Sequence, residues 1–177
     1  MSAKRQNNFF DVCSTCKSRC CIDAAPPITD ERQRTIAKFL KEKGISAEGV
    51  FVQTSYTSAK VEPNGRCIFL DEKTGRCIVH SVKPETCVAG PITFDINVRT
   101  GKIEWYLKME KICSLAGIVS RNEKLLQKHL VSAKREILRL VQQLDSSDLK
   151  AILKRDEPET FKIDEDKISE EILRKIR

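Results

Sequence analysis

The arrangement of its cysteines constrains this chain more than any other feature of the sequence. The chain has 177 residues and eight cysteines, and none follows residue 113. The cysteines form a group of four, a group of three spaced ten residues apart, and a single late residue. They are Cys13, Cys16, Cys20, Cys21; Cys67, Cys77, Cys87; and Cys113. Whatever fold forms must accommodate clustered thiols in its first two-thirds.

The N-terminal residues bear on whether these thiols form disulfides or bind metal. Lys4 and Arg5 are not followed by the apolar segment of a secretory signal. We therefore expect a cytoplasmic protein, whose thiols stay free or bind metal in a reducing environment. A disulfide framework is the weaker alternative, and it gains weight if the source is a hyperthermophile, whose intracellular proteins can be rich in disulfides.

The first cysteine group favours more than one metal ion. Cys13 and Cys16 have the Cys-x2-Cys spacing that lets two thiolates chelate one ion. Cys20 and Cys21 are adjacent, and adjacent side chains diverge in most backbone conformations. They can serve two metals, or two irons of one polynuclear cluster, more easily than one tetrahedral zinc ion.

The second group contains a short internal repeat. Gly65-Arg66-Cys67-Ile68 recurs as Gly75-Arg76-Cys77-Ile78, so a glycine turn and a basic residue precede each cysteine. The basic neighbour favours the thiolate. A hairpin would bring the two cysteines together. Cys87 follows a proline turn whose backbone amides can hydrogen-bond a sulfide or thiolate.

Four other residues have both a functional and an ordinary interpretation. Cys113, on a helix predicted from Leu107 to Cys113, is compatible with a metal ligand and with a small buried residue. His80 can be a ligand, but an ordinary strand-end histidine is favoured. Trp105 and Tyr106 can shield a cluster or stack on a base, although core packing is the commoner use.

The remaining pattern predicts an α+β fold. We expect a small cysteine-rich metal-binding core with two β-hairpins, covered by a long amphipathic helix and further C-terminal helices. Residues 1–117 would form the cysteine-rich region, and residues 118–177 a helical region that packs on it within a single domain. The predicted elements are a helix from Thr29 to Gly44, a strand over 51–56, hairpins over 66–80 and 92–105, and helices over 120–144, 147–154 and 166–176.

The order of the motifs resembles a known family. Cys-x2-Cys-x3-Cys-Cys at 13–21, the two repeat cysteines, the run Lys83-Pro84-Glu85-Thr86-Cys87 and the late Cys113 are similar to the cysteine-cluster family of zinc- or iron-chelating domains (YkgJ-type). The resemblance covers about residues 10–116. Lys83 stands where the family more often has arginine, and His80 where it often has tyrosine. The resemblance implies a metal site, and members are often described as iron–sulfur oxidoreductases.

These observations support three hypotheses about function. The leading one is a cytoplasmic protein that holds an iron–sulfur cluster, or two metal sites, on the eight cysteines and acts in electron transfer or redox chemistry with a redox or protein partner. The second is a zinc-stapled interaction module, and the third is a metal-dependent protein-modifying enzyme. The formal net charge of +7 is not an argument for nucleic-acid binding, because eight ionised thiolates would cancel it. No apolar run reaches the roughly 18 residues of a membrane span.

Overall fold

The computed structural model of the protein describes residues 12, 19–153 and 159–177. The described part is α+β, as predicted, with small antiparallel sheets and one long helix. The helices are α1 (Asp30–Glu42), α2 (Glu85–Ala89), α3 (Ser114–Ser120), α4 (Glu123–Gln143), α5 (Ser146–Leu153) and α6 (Glu170–Ile176), with 3₁₀ turns at Arg19–Cys21 and His80–Val82. The strands are β1 (Phe51–Gln53), β2 (Thr57–Ala59), β3 (Leu70–Asp71), β4 (Arg76–Cys77), β5 (Ile92–Asn97), β6 (Lys102–Lys108) and β7 (Thr160–Lys167).

Helix α1 begins and ends where the sequence predicts. The Thr29 hydroxyl accepts a hydrogen bond from the Arg32 amide at 3.2 Å and so caps the N-terminus. Ile36 and Leu40 form its buried face. Gly44 follows the C-cap with a φ of +71°, a conformation that glycine adopts without strain.

The first half of the chain contains two small hairpins. The predicted strand over 51–56 is instead a hairpin, because the chain reverses at Thr54, whose amide donates to the Tyr56 carbonyl at 3.1 Å, and β2 returns along β1. The hairpin predicted over 66–80 is confirmed in a shorter form, in which Leu70 of β3 lies opposite Cys77 of β4.

The second half is built on the three-stranded antiparallel sheet β5-β6-β7. The predicted hairpin over 92–105 forms its first two strands. Ile103, Trp105 and Leu107 of β6 are fully buried on one face. Core packing is confirmed for Trp105, which is completely buried and whose Nε1 donates to Asp166 at 2.7 Å.

Strand β7 corrects the helix predicted over 166–176. Helix α6 begins only after Ser169, which caps it, and the preceding residues pair with β6. The sequence of β7 is mostly charged and lacks an alternating apolar pattern. Its stabilising partners lie on β6, where Lys102 bonds Glu165, and Glu104 accepts from Lys162 at 2.9 Å.

One further helix prediction was wrong, and another was wrong in its starting residue. The helix predicted over 107–113 is absent there, because β6 continues to Lys108 and α3 starts after Cys113. The long helix predicted from Ser120 is confirmed as α4, but its cap is Asn122, whose side chain accepts from the Leu125 amide at 3.0 Å. The Ser120 hydroxyl instead donates to the Gly117 carbonyl of α3.

The buried apolar residues form two clusters that divide between Val79 and Ala89. The first cluster comes from α1 and the hairpins: Ile28, Ile36, Leu40, Val50, Ala59, Cys67, Phe69 and Val79. The second cluster runs from Ala89 to Leu173 and joins the sheet to α3, α4, α5 and α6. Helix α2 therefore lies at the boundary between the clusters. Within the described residues, no helix is long and apolar enough to cross a membrane.

Candidate metal centre

Backbone pairing brings the end of the first cysteine group against the second. The Cys67 amide donates to the Cys21 carbonyl at 2.9 Å, and Ile22 bridges Arg66 in antiparallel fashion. Cys20 and Cys21 lie in the 3₁₀ turn just before this pairing. Cysteines that are far apart in sequence are therefore held together by main-chain hydrogen bonds.

Gly65 is required by this pairing. Its φ is +82°, and a Cβ atom at this position would lie 2.6 Å from Asp23 Oδ1. The Asp23 amide in turn donates to the Gly65 carbonyl at 2.6 Å. The glycine of the first repeat therefore permits a close backbone approach two residues before Cys67.

The β3-β4 hairpin delivers Cys77 to the same region. The Leu70 amide donates to the Cys67 carbonyl at 2.9 Å, and Leu70 is the residue opposite Cys77. The hairpin therefore places Cys67, three residues before Leu70, near Cys77, and the negative charge of a Cys67 thiolate raises the pKa of Cys77. Cys87, on α2, affects the pKa of Cys21 in the same way.

The adjacent pair differs sharply in acidity. The Cys21 thiol donates a hydrogen bond to Cys20, and this contact, aided by the cations Lys108 and Lys83, lowers the pKa of Cys20 to about 6. The same hydrogen bond, together with burial, raises the pKa of Cys21 well above its ordinary value. Cys20 is exposed, and its lowered pKa favours the thiolate near neutral pH.

The three cysteines of the second group are held as neutral thiols in the metal-free protein. Burial raises the pKa of Cys77 to about 11 and also raises the pKa of Cys67 and Cys87. The neighbouring thiols add to this effect, whereas Lys83 partly opposes it at Cys77 and Cys87. A bound cation would reverse the balance, because it favours thiolates and releases their protons.

Comparison with known proteins identifies the family. A family model described as "putative zinc- or iron-chelating domain", with the motif name CxxCxxCC, matches residues 12–114. The chain belongs to this family. An uncharacterized protein of Methanocaldococcus jannaschii is 33% identical over 95 residues, which cover 50% of this chain and 50% of that protein. The chain thus matches about half the length of this curated relative. No solved structure matches the chain.

The donor chemistry of this member of the chelating-domain family fits a soft metal. The five neighbouring thiols are Cys20, Cys21, Cys67, Cys77 and Cys87. Thiolates are the ligands of structural zinc and of iron–sulfur clusters. Across residues 19–153 and 159–177, no group of three or more His, Cys, Asp or Glu side chains is arranged so that it could hold a metal ion. The predicted ligands Cys13 and Cys16 lie outside the described residues.

The remaining predicted residues lie at the edges of this group. Cys113 is at the N-cap position of α3, not on a helix with Ile112, and packs against the second cluster. His80 begins a 3₁₀ turn, and burial together with Lys83 lowers its pKa, which favours the neutral imidazole. Whether either residue binds metal stays a prediction.

Sequence reasoning missed the cations that act on the thiols. Lys83 lowers the pKa of three of the cysteines, and its position in the run before Cys87 was a signal that could have been used. Lys108 had no such signal. It comes near Cys20 because it ends β6, and nothing local in the sequence indicates that approach.

Proposed function

We propose that this protein is a cytoplasmic iron–sulfur protein with a role in electron transfer or other redox chemistry. The single observation that carries the proposal is the number of thiols whose charges act on one another in one region. Five such cysteines exceed the four positions of a tetrahedral zinc site. Cys13 and Cys16, predicted ligands of the same motif, would enlarge the surplus. Such a surplus suits a polynuclear cluster, which shares thiolates among several irons.

In this proposal the cysteines and the nearby lysines would have separate roles. The cluster would supply an electron-accepting and electron-donating group, held by the cysteine thiolates. Cys67 is buried, and Cys77 and Cys87 are partly buried, which limits the access of water to their sulfurs. The exposed Cys20 sits at the surface, where a redox partner can approach. Lys83 and Lys108 offset the negative charge that several thiolates would bring.

Anaerobic purification tests the proposal. We expect brown protein that contains iron and acid-labile sulfide, with broad visible absorption that bleaches on reduction. Colourless protein that contains only stoichiometric zinc would overturn it. Cys87→Ala should lose most of the iron, whereas Val88→Ala, a change of similar size one residue further on, should retain it.

A zinc-stapled interaction module is the second candidate. It is favoured by the small size of the first cluster, in which Cys21, Cys67 and Cys77 pack among strands of two or three residues. Small cores of this kind often need a metal for stability. Zinc removal would then unfold the first cluster, and mild oxidant would leave the metal content unchanged, whereas an iron–sulfur cluster would be degraded.

A further inference from the structure

Helix α2, which carries Cys87, is too short to fix its own position. It has five residues, little more than one turn. Isolated helices of this length do not persist in water. Cys21, Cys67 and Cys77 pack on the first cluster, whereas α2 lies at the boundary with the second. The placement of the Cys87 sulfur relative to the other sulfurs therefore depends on what holds α2.

Polar side chains from α1 hold the beginning of α2. Glu85, its first residue, is completely buried, and its Oε1 accepts from the Thr29 hydroxyl at 2.6 Å. The Arg32 guanidinium lies 3.7 Å from the same oxygen and donates from Nη1 to the Lys83 carbonyl at 2.9 Å. Arg32 thus contacts the chain on both sides of Pro84, where α2 starts.

Helix α4 reaches both ends of α2 from the other side. Glu136 is buried and accepts a hydrogen bond from Arg32 Nη2. His129 Nε2 lies 3.1 Å from the carbonyls of both Ala89 and Gly90, so it donates to the end of α2. His129 and Glu136 are about two turns apart on one face of α4, roughly 10 Å, somewhat more than the roughly 7.5 Å that the five residues of α2 span.

Burying the charged side chains of Glu85, Arg32 and Glu136 costs free energy, because they lose their hydration. Two carboxylates surround one guanidinium, and Glu85 Oε2 has no hydrogen-bond partner among the described residues. A pocket of about 200 Å³, partly open to solvent, lies beside Thr29, Arg32 and Glu85. Apolar side chains of similar volume are often equally stable in such places, or more so. Unlike apolar side chains, the charged groups form directional hydrogen bonds, and these fix the position and orientation of the backbone they join.

We propose that Arg32 and Glu136 are positioning residues for the Cys87 sulfur: the chain Glu136–Arg32–Glu85, with His129 at the far end, sets where α2 presents this ligand. The inference rests on the proposed function, in which Cys87 binds metal. It assigns to α4, a helix without cysteines, a direct part in the geometry of the metal centre.

The test compares metal release and spectra in matched variants. Arg32→Ala and Glu136→Ala, purified anaerobically and compared at equal metal loading, should release metal to a chelator about tenfold faster than the wild type. Their visible or paramagnetic-resonance spectra should also differ. Glu136→Gln, which keeps an oxygen acceptor for Arg32, should recover part of the difference.

Gln143→Ala is the matched control. Gln143 of α4 donates to Glu31 of α1 at 2.9 Å on the exposed surface, so it joins the same two helices without contacting α2. This variant should match the wild type in release rate and spectrum. The inference is overturned if folded Arg32→Ala and Glu136→Ala match the wild type, or if Gln143→Ala shows the same change as they do.

Three further outcomes are decisive. If circular dichroism shows that the alanine variants do not fold, Arg32→Lys and Glu136→Gln, which keep the bulk, are judged by the same comparison. If the wild type holds only zinc, the iron–sulfur proposal fails, and the positioning role is judged from zinc release. If the wild type binds neither metal, both proposals are overturned.

Discussion

At the scale of single residues, Cys20 and Cys21 show how one contact separates two neighbours. Their shared hydrogen bond makes one sulfur a ready thiolate and the other a persistent thiol. An exposed thiolate is the form that a metal ion or an electrophile meets first. Of these two candidate ligands, Cys20 is therefore the one that is ready to bind a metal without first losing a proton.

The acidity of Cys20 can be measured in the metal-free protein. Because only the thiolate is alkylated, labelling of Cys20 by iodoacetamide should rise with pH and reach half its maximum near pH 6. Cys77 in the same sample should react only toward pH 11, since its folded-state pKa is raised. Peptide mapping by mass spectrometry separates the two, and a Cys20 midpoint near 8.5, the ordinary value, would contradict the assignment.

At the scale of elements, α4 depends on a cap that the sequence analysis placed two residues too early. Both Ser120 and Asn122 are good N-cap residues, and local preference does not choose between them. The choice is made by the end of α3, which uses the Ser120 hydroxyl for its own Gly117 carbonyl. Asn122 is left to begin the long helix.

Substitution of the cap gives a quantitative check. Asn122→Ala should lower the free energy of unfolding by about 1 kcal/mol, because the Leu125 amide loses its acceptor at the helix start. Ser120→Ala is the control and should cost less, since it removes a side-chain donor rather than a cap. Urea unfolding of the two variants measures both values, and equal losses would count against Asn122 as the cap.

The elements that sequence could predict are those with local signals. Helix α1, the β5-β6 hairpin and the amphipathic face of α4 follow from capping residues, turns and periodicity, and all three are confirmed. Strand β7 could not be predicted, because its charged residues are stabilised by partners on β6 that are distant in sequence. The helix predicted over 107–113 was wrong for a related reason: pairing with β7 extends β6 to Lys108.

The candidate site divides in the same way. Cysteine spacing was enough to nominate the ligands and to expect Cys67 and Cys77 near each other. It was not enough to find Lys108 or the contact between Arg32 and Glu136, which exist only because separate elements meet. The sequence therefore predicts which residues are candidate ligands, whereas the charged residues that shift their pKa values or hold their helix in place are determined by the tertiary fold.

At the scale of the whole molecule, the two apolar clusters differ in size. The second cluster is large and carries the sheet and most of the helices. The first is small, and cysteines form part of it. A metal bound to these cysteines would thus stabilise the first cluster far more than the second.

Hydrogen exchange after metal removal tests this inequality. When a chelator strips the metal, amides of β3, β4 and α2 should exchange faster, whereas those of β5 and β6 should keep most of their protection. The reason is that the second cluster includes none of the five neighbouring thiols. Mass spectrometry of peptides from both regions reports the difference, and a uniform increase across the chain would refute it.

The pairing of β7 with β6 has a consequence for biosynthesis. Because translation proceeds from the N-terminus, Cys113 leaves the ribosome well before Thr160, where β7 begins. All eight cysteines are therefore outside the exit tunnel while the sheet still lacks its final strand. During that interval the nascent chain presents its thiols on an incomplete scaffold, and cofactor delivery that accompanies translation would meet them in this state.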